Sequence, residues 1–406
     1  MKVVSVEISP ELRGEKKECL VVVREYEEKK DKVAVEEIER RCEIGQRGKP
    51  TLVTDLMGDP ACRVRHFPSH IVLVAEYGEE KEIVGVIRGC VKTVTRGASG
   101  SGYVKLGYLL GLRVSPTHRR LNIGTKLVNK LEEWCKQNRV EFSYMATDYT
   151  NEPSVNLFTK KCSYIKFRTL AMLIQPIHAH HKSIHSSVSI IRLPNILAES
   201  VYRQVFMNSE FFPKDIDLIL SSKLNLGTYM AVPKKVLPKW DLRANILPPN
   251  YAILSVWNTK EVFKLQVKGV SPLAYAWCMG SRLVDGWIPW LRLPSFPDVF
   301  RKFGLYFLFG LHMEGRNGRS LMKSLCAFAH NMGRDDGECG ALVAEVGPRD
   351  PVQEAIPHWR KFSWADLWCI KNLKDEMDDP DEKSSLSDWM KSRSSSSVIF
   401  VDPRDF

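Results

Sequence analysis

The chain has 406 residues, 44% of them hydrophobic and 26% charged, which excludes a disordered chain and allows two or three folded domains. A net charge of +11 favours an anionic partner such as a phosphorylated cofactor, nucleic acid or acidic protein, although a generally solubilising surface explains it equally well. Because no long Lys/Arg block is present, direct nucleic-acid binding is not favoured. The sequence has no signal-peptide pattern, no apolar run long enough to span a membrane and no C-x-x-C pair. It therefore predicts a reducing compartment, cytosol or nucleus, with neither a disulfide framework nor a metal site.

Hydrophobic periodicity predicts a regular alternation of elements in the first half. In chain order these are a strand (19–26), a helix (31–45), a loop-rich segment (50–70), a hairpin (70–94), a flexible loop (95–102), a strand (103–114), a turn and helix (117–134), a strand (140–148), a short helix capped by Asn151 (151–162) and a last strand (164–173). The helix of 117–134 carries one apolar stripe that ends at Trp134.

The second half repeats part of this plan. Its predicted elements are a strand (188–193), a helix (195–206), two strands (251–257 and 262–270), a strand (303–313), a Gly/Arg turn (314–320), a helix (321–332), a strand (340–346) and a helical turn (350–359). Since strand, basic turn, helix and strand recur in the same order, we interpret the chain as an internal duplication. The predicted organisation is a first domain (1–174), a linker with solvated histidines (175–187), a second domain (188–373) and a flexible acidic and Ser-rich segment that ends in an apolar strand (374–406).

The stretch "THRRLNIGTKLVNKLEEW" (117–134) places a basic, glycine-containing turn between a strand and a helix. A helix start presents unpaired N–H groups and partial positive charge, so it suits a phosphate. Arg119 and Arg120 add charged donors, and Gly124 lets a ligand approach the backbone closely. The turn is neither a P-loop nor a dinucleotide-binding fingerprint. It predicts a pyrophosphate or nucleotide site, with an ordinary helix entrance as the alternative.

The pattern Arg119-x-x-Asn122-x-Gly124 resembles the Q/R-x-x-G-x-G/A turn of the GNAT N-acetyltransferases. The segment 151–158 is similar to the N-x-x-A-x-x-L-Y segment that follows it in that family. The resemblance implies an α/β (α+β) fold of tandem GNAT-like modules, each a mixed, mostly antiparallel sheet flanked by helices, the second one degenerate. It also implies that acetyl-CoA is the cofactor. The residues implied to hold it are Leu112 and Val114 through their backbone, and Arg119, Arg120, Asn122, Gly124, Thr125 and Asn151.

Three positions depart from the family pattern. Asn122 replaces a glycine, but Asn tolerates left-handed backbone better than most residues. Phe158 stands where many members have a tyrosine that protonates the leaving thiolate, and Phe has no proton to donate. The strand 103–114 has no Asp or Glu, whereas lysine-directed members often have a base carboxylate there; Tyr108 lies near that position.

Direct attack by an amine needs a proton acceptor, because a free lysine amine has a pKa of ~10.4. Glu76 and Asp148 are the candidate catalytic carboxylates, although Glu76 could be a surface residue and Asp148 a helix cap. Tyr149 is the candidate replacement acid. In the second module, aligning 318–322 with 124–128 puts Met313 at the position of Arg119, and Arg316 and Arg319 supply charge elsewhere. That module is predicted to shape the cleft or to bind a partner, with anion binding as an open alternative.

Three further segments, 210–233, 356–373 and the terminal "FVDPRDF", resemble the plant HOOKLESS family of N-acetyltransferases. This resemblance implies a regulator of differential cell growth and apical hook development in ethylene and auxin responses, and a location in the nucleus. The implied partners are acetyl-CoA and an amine acceptor, with a lysine of a histone or another nuclear protein among the candidates. The alternative is a catalytically weak or inactive GNAT-like regulator that acts through acyl-CoA or protein binding. The oligomeric state is left open.

Overall fold

A computed structural model of the chain describes residues 21–42, 51–97, 102–236, 247–288, 290, 298–374, 389 and 398–406. The strands are β1 (Val21–Glu25), β2 (Thr51–Asp55), β3 (Ser69–Tyr77), β4 (Glu82–Arg96), β5 (Tyr103–Val114), β6 (Phe142–Asp148), β7 (Ile165–Pro176), β8 (Val188–Leu193), β9 (Glu210–Pro213), β10 (Asn225–Pro233), β11 (Tyr251–Asn258), β12 (Lys264–Lys268), β13 (Gly304–Glu314), β14 (Cys339–Val346) and β15 (Trp364–Asn372). The helices are α1 (Glu28–Arg41), α2 (Ile123–Gln137), α3 (Glu152–Asn156), α4 (Asn195–Phe206), α5 (Ile216–Ser221), α6 (Pro272–Trp287) and α7 (Gly318–Asp336).

One large sheet runs through both modules in the order β1-β3-β4-β5-β6-β15-β7-β14-β13-β11-β10-β8, and β9 pairs with β4 outside this path. The pairs β5–β6 and β13–β14 are parallel, and the other pairs of this sheet are antiparallel. The predicted mixed and mostly antiparallel arrangement of strands is therefore confirmed.

A second sheet consists of β2 and β12. The sequence predicted only a loop at 50–70, and β2 corrects that prediction: Val53 pairs with Gln266, far along the chain. The backbone groups of so short a strand are satisfied by this distant partner, which local sequence patterns do not reveal.

The two modules exchange strands at their junction. β15, from the end of the second half, lies between β6 and β7 of the first half, and β7 pairs with β14. Gln175 and Pro176, which the sequence assigned to the linker, are the last residues of β7 and pair with Leu342 and Ala341. Each module thus depends on the other for its backbone hydrogen bonds.

Helices cover both faces of the large sheet. Alternate residues of a strand point to opposite faces, and on β6 Tyr144 belongs to the core that includes α1, α4 and α5, whereas Met145 belongs to the core that includes α2. The predicted stripe of α2 is buried at Leu127, Val128 and Leu131, while Trp134 is only partly buried. α7 covers the second module on the same side as α2.

The chain ends in a buried segment, 398–406, that contacts both halves. It forms a single bridge, between Ile399 and Glu210, so it docks as extended chain with less pairing than the predicted strand. Asp405 Oδ2 lies 2.5 Å from Nζ of Lys92, which belongs to the first half. Arg404 Nη1 lies 2.7 Å from Oδ2 of Asp215, which belongs to the second half. Burying these charges is tolerated because each has a partner. The acidic and Ser-rich residues that precede this segment lie outside the described residues, apart from Lys374 and the buried Trp389.

The predicted histidine linker is tied to α7. His178 N donates to His330 Nε2 at 2.9 Å, and burial lowers the pKa of His330 to about 4, so its ring is neutral and accepts this bond. His181 and His185 are exposed, as a solvated linker predicts, whereas His178 and His180 are half-buried. Among the described residues, no group of three or more His, Cys, Asp or Glu side chains is placed to hold a metal ion. No helix of the described part is long and apolar enough to cross a membrane.

Candidate functional site

The parallel strands β5 and β6 separate at their carboxyl ends. Their pairing stops at Leu109 and Met145, although β5 continues to Val114 and β6 to Asp148. Gly111 lies just past this point with φ +62°, where the register between β4 and β5 shifts. Such a bulge bends its strand. The separated ends leave an opening between β5 and β6, which we call the first opening.

Arg88 on β4 supports the bulge. Its Nη1 donates to Gly111 O at 3.2 Å and to Glu39 Oε1 at 2.7 Å. A side chain at Gly111 would meet Arg88 Nη1 at 2.7 Å, so glycine is required there both for space and for its positive φ. Burial acts to raise the pKa of Glu39, but the charges of Arg88 and Arg113 outweigh it and hold this pKa below its usual value.

The basic turn takes the left-handed backbone that the sequence predicted for Asn122. Arg120 has φ +70° and Asn122 has φ +59°, and Asn122 directly precedes α2 without capping it by a side-chain hydrogen bond. Arg119, Arg120 and Asn122 are all exposed. The first N–H groups of α2 are therefore presented beside two arginines, an arrangement suited to a bound anion.

Gly124 connects this helix entrance to the first opening. An added Cβ would lie 3.3 Å from Leu157, 3.8 Å from Val114 and 3.9 Å from Leu112. The structure thus brings four predicted cofactor residues, Leu112, Val114, Gly124 and the neighbouring half-buried Thr125, to the junction of β5 and α2. A larger residue at 124 would press against Leu157.

Asn151 and Phe158 lie in the segment that follows β6. Asn151 Oδ1 accepts from Ser154 N at 3.4 Å and caps α3, as the sequence predicted for a cap. Its Nδ2 donates to Thr147 Oγ1 at 3.2 Å. Phe158 is 2% exposed and packs edge-on against Tyr164, so it is a core residue and makes no contribution to proton transfer.

The three candidate catalytic residues do not lie together. Asp148 ends β6 at the first opening, where its Oδ1 accepts from Thr150 N and Oγ1 at 2.7 and 2.6 Å; Tyr149 follows it and is 55% exposed. Glu76 lies on β3, which β4 separates from β5, and Arg24 Nε donates to it at 2.8 Å. The expectation that Glu76 is a base is corrected accordingly: it belongs to an ion network with Arg24, and this hydrogen bond is the largest reason that its pKa is lowered.

Sequence reasoning missed an acidic residue at the same opening. Asp366 on β15 pairs across the strands with Asp148. The pattern of β15 alone gives no signal for this, because the strand reaches β6 only through the exchange between modules.

The second module has an equivalent opening. Pairing of β13 with β14 stops at Leu308 and Ala344, and Gly310 follows with φ +59°. A side chain there would collide with the ring of Tyr202, as one at Gly111 would with Arg88. Aligning the two positive-φ glycines, Gly111 and Gly310, puts Met313 at the position of Val114. Gly318 contacts Met313 as Gly124 contacts Val114, so the predicted equivalence of Met313 with Arg119 is wrong.

The helix entrance of the second module is shorter. Only residues 315–317 separate β13 from α7, whereas residues 115–122 separate β5 from α2. The short turn carries one exposed arginine, Arg316, and the next one, Arg319, is paired with Glu354 at 3.3 Å. Asn317 N donates to Asn250 Oδ1 at 3.1 Å, and a side chain at Gly315 would collide with Pro249 O. The loop before β11 therefore occupies the space that stays open in front of α2.

Comparison with known proteins shows the family of the chain. The model of the acetyltransferase (GNAT) family matches residues 33–164. The chain is 48% identical over 409 residues to "Probable N-acetyltransferase HLS1" of Arabidopsis thaliana, with 95% of this chain and 100% of that protein covered. It is 47% identical over 416 residues to "Probable N-acetyltransferase HLS1-like" of the same plant, with 95% and 99% covered. The chain therefore belongs to the GNAT family of N-acetyltransferases.

Within the family, these relatives make it a HOOKLESS-type member. A solved structure shares the fold: N-myristoyltransferase of Saccharomyces cerevisiae with bound myristoyl-CoA has a TM-score of 0.52 at 8% identity, over 87% of this chain and 79% of that one.

Proposed function

We propose that this protein transfers the acetyl group of acetyl-CoA to a primary amine, with a protein lysine as the acceptor, and that the cofactor binds in the first module alone. The observation that carries the proposal is the exposed basic turn, with Asn122 in left-handed backbone, at the start of α2, where Gly124 lies beside Leu112 and Val114 of β5. Family membership supports an acyl-CoA cofactor, and the fold neighbour described above was solved with myristoyl-CoA.

Each part of this site has a task in the proposal. The pyrophosphate lies at the entrance of α2, bound by the first N–H groups of the helix and by Arg119 and Arg120. The pantetheine arm follows Leu112 and Val114, and the backbone of β5 polarises the thioester carbonyl as an oxyanion site. The amine attacks the carbonyl carbon directly, so no nucleophilic Ser or Cys is needed. Tyr149, exposed at the end of β6, is the available acid for the leaving thiolate, since Phe158 has no proton to give.

The similarity to HOOKLESS-type relatives supports the biological role that the sequence resemblance implies. We propose that the protein acts in the nucleus on a histone or another nuclear protein, and regulates differential growth and hook development in ethylene and auxin responses. A non-enzymatic regulator remains the second candidate, because β5 carries no Asp or Glu and Phe158 replaces the usual acid.

Replacing Gly124 with Glu tests this site. The new carboxylate would lie in the first turn of α2 and repel the pyrophosphate, so we expect acetyl-CoA binding and transfer from labelled acetyl-CoA to a core-histone mixture to be lost. Gly280→Glu is the matched control, because Gly280 is also a helical glycine and no atom lies within 4 Å of its added Cβ. Circular dichroism checks that both variants are folded. Saturable binding without transfer to any amine would favour the regulator, and equal binding by Gly124→Glu and wild type would contradict the proposed site.

A further inference from the structure

We propose that Asp366, on the strand that the second module inserts into the first, accepts the proton of a lysine-type amine at the first opening. The inference rests on the proposed function and deepens it: it assigns the acceptor to the class of cationic primary amines and names the residue that deprotonates them. The second module then contributes directly to the chemistry of the first.

The position of Asp366 follows from strand register. β15 runs beside β6 with Trp368 opposite Ala146 and Asp366 opposite Asp148, and Tyr149 N donates to Ala365 O at 3.0 Å just beyond. β15 therefore accompanies β6 to its separated end. Because residues two apart on a strand share a face, Asp366 lies on the face of Trp368, which belongs to the core opposite α2. The phosphates at α2 and an amine at Asp366 thus approach the opening from different faces.

Deeper on this face, Asp405 of the described C-terminal segment also reaches β6, but its partners shield it from solvent. Asp405 accepts from Tyr144 OH at 2.8 Å and from Lys92 Nζ at 2.5 Å, and it is 7% exposed. An amine has no access to it. Asp366 and Asp148 are half-buried, so both remain within reach of a side chain that enters from solvent.

Trp364 orients the Asp366 carboxylate. Its indole Nε1 donates to Asp366 Oδ1 at 2.9 Å, and no described residue donates to Oδ2. The Trp364 side chain shares the face of Asp366 and is 38% exposed. An exposed aromatic ring beside an ionised carboxylate suits the alkyl stem and charged end of a lysine, since the ring contacts the methylenes and attracts the cation.

The electrostatics suit a proton acceptor. Burial, followed by the negative charge of Asp148, raises the pKa of Asp366 to about 6, against the opposing effect of the Trp364 bond. Asp366 is then mostly ionised at neutral pH and yet a stronger base than an ordinary aspartate, which is what general-base catalysis favours.

The other charged groups on neighbouring strands do not cancel this effect. Burial raises the pKa of Glu345 on β14 to about 8, so Glu345 is largely neutral near pH 7 and adds no second full charge. On β7, Lys166 lies over the Tyr149 ring at 5.9 Å, and Arg168 donates to Glu210 at 2.9 and 2.8 Å.

The proposed step balances in protons and bonds. The ammonium transfers one proton to the Asp366 carboxylate and becomes a neutral amine, whose lone pair attacks the thioester carbon. The C–N bond forms, the C–S bond breaks and CoA leaves as a thiolate. The second N–H proton passes to that thiolate, giving the CoA thiol, and Asp366 returns its proton to water. The products are the acetyl amide, the CoA thiol and one proton.

The experiment compares the wild-type chain with Asp366→Asn, Asp366→Glu and the control Asp217→Asn, whose carboxylate is 51% exposed on α5. The acceptor probe is Nα-acetyl-lysine methylamide, and its norleucine counterpart is the uncharged probe. Because Asn keeps the Trp364 bond, we expect Asp366→Asn to bind acetyl-CoA as the wild type does and to lose about 100-fold or more in kcat/KM. Its pH profile should lose the rise through pH 6, and Asp366→Glu should regain part of the rate. Asp217→Asn should match the wild type.

Several results would overturn the assignment. An Asp366→Asn variant with wild-type kcat/KM and pH profile would exclude proton acceptance by Asp366, and one that also loses acetyl-CoA binding would show a structural role. The two probes are also compared for binding to the wild type in the presence of CoA. If the lysine probe binds no more tightly than the norleucine probe, cationic amines are excluded as the acceptor class. Failure of the wild type to bind acetyl-CoA is a different outcome, because it contradicts the proposed function itself.

Discussion

Both modules place a helix between two parallel strands and carry a positive-φ glycine where those strands part, but their helix entrances differ. In front of α2 the long turn holds Arg119 and Arg120 in an exposed loop, with Asn122 in left-handed backbone. In front of α7 the turn is residues 315–317 alone, and Asn250 takes the free Asn317 N–H. The same architecture thus has a long, exposed basic turn in one copy and a short turn held by the loop before β11 in the other.

The comparison indicates that a module without the basic helix entrance can still contribute residues to the other module. The second module supplies β15, which carries Asp366 to β6, and the chain that follows it supplies the buried segment with Asp405. In our account, the first module binds the cofactor, and the second completes the acceptor side and fixes the two halves to each other.

The largest expected effect comes from separating the halves. Asp405→Ala leaves Lys92, which is 4% exposed, as a buried charge without its carboxylate. We expect a loss of about 3–5 kcal/mol in the free energy of unfolding, measured by denaturant titration. A double variant, Lys92→Met with Asp405→Leu, should recover most of this loss, because it removes both charges. Unchanged stability of Asp405→Ala would show that the segment does not hold the modules together.

A smaller effect, dependent on pH, is expected from Glu345 in the second module. Its pKa is raised by burial to about 8 from an ordinary 4.5, so between these values the folded state binds more protons than the unfolded state. Stability from this group is therefore lost as pH rises from about 5 to 8, by up to ~1.4 kcal/mol per pH unit. Glu345→Gln keeps an acceptor for Trp368 and should gain stability over wild type as pH rises. The exposed Glu133→Gln on α2 should show no such trend, and parallel curves for Glu345→Gln and wild type would refute the buried neutral carboxyl.

The smallest effect sharpens the contrast between the helix entrances. Asn250→Ala removes the acceptor of Asn317 N and should cost about 1 kcal/mol of stability, as loss of a hydrogen bond does, measurable by thermal unfolding. Because the short turn carries only Arg316 and Arg319 is paired with Glu354, loss of this hydrogen bond should create no acetyl-CoA site. A second binding event in Asn250→Ala would mean that the contact with Asn250 alone keeps the second entrance from binding.

Local patterns predicted the elements that are locally encoded. β5, β8 and α4 have the bounds expected from the sequence, since an alternating or helical apolar stripe and its flanking turn residues define each one. The turn around Gly124 was also readable, because its arginines, Asn122 and glycine are contiguous. The exchange of β15 and the pairing of β2 with β12 depend on partners far along the chain, so Asp366 was missed. Glu76 was chosen from its strand alone, and its partner Arg24 could be identified only from register.

The most direct test of the account is a calorimetric titration of acetyl-CoA into the wild type and two double variants. Arg119→Ala with Arg120→Ala removes the charged donors of the first entrance, and Arg316→Ala with Arg319→Ala is the matched change at the second. We predict one acetyl-CoA per wild-type chain, at least about tenfold weaker binding in the first variant, since hydrogen bonds to charged groups contribute about 1.5–3 kcal/mol each, and unchanged binding in the second. Two bound molecules per chain, or a loss confined to the Arg316 and Arg319 variant, would contradict the claim that the first module alone holds the cofactor.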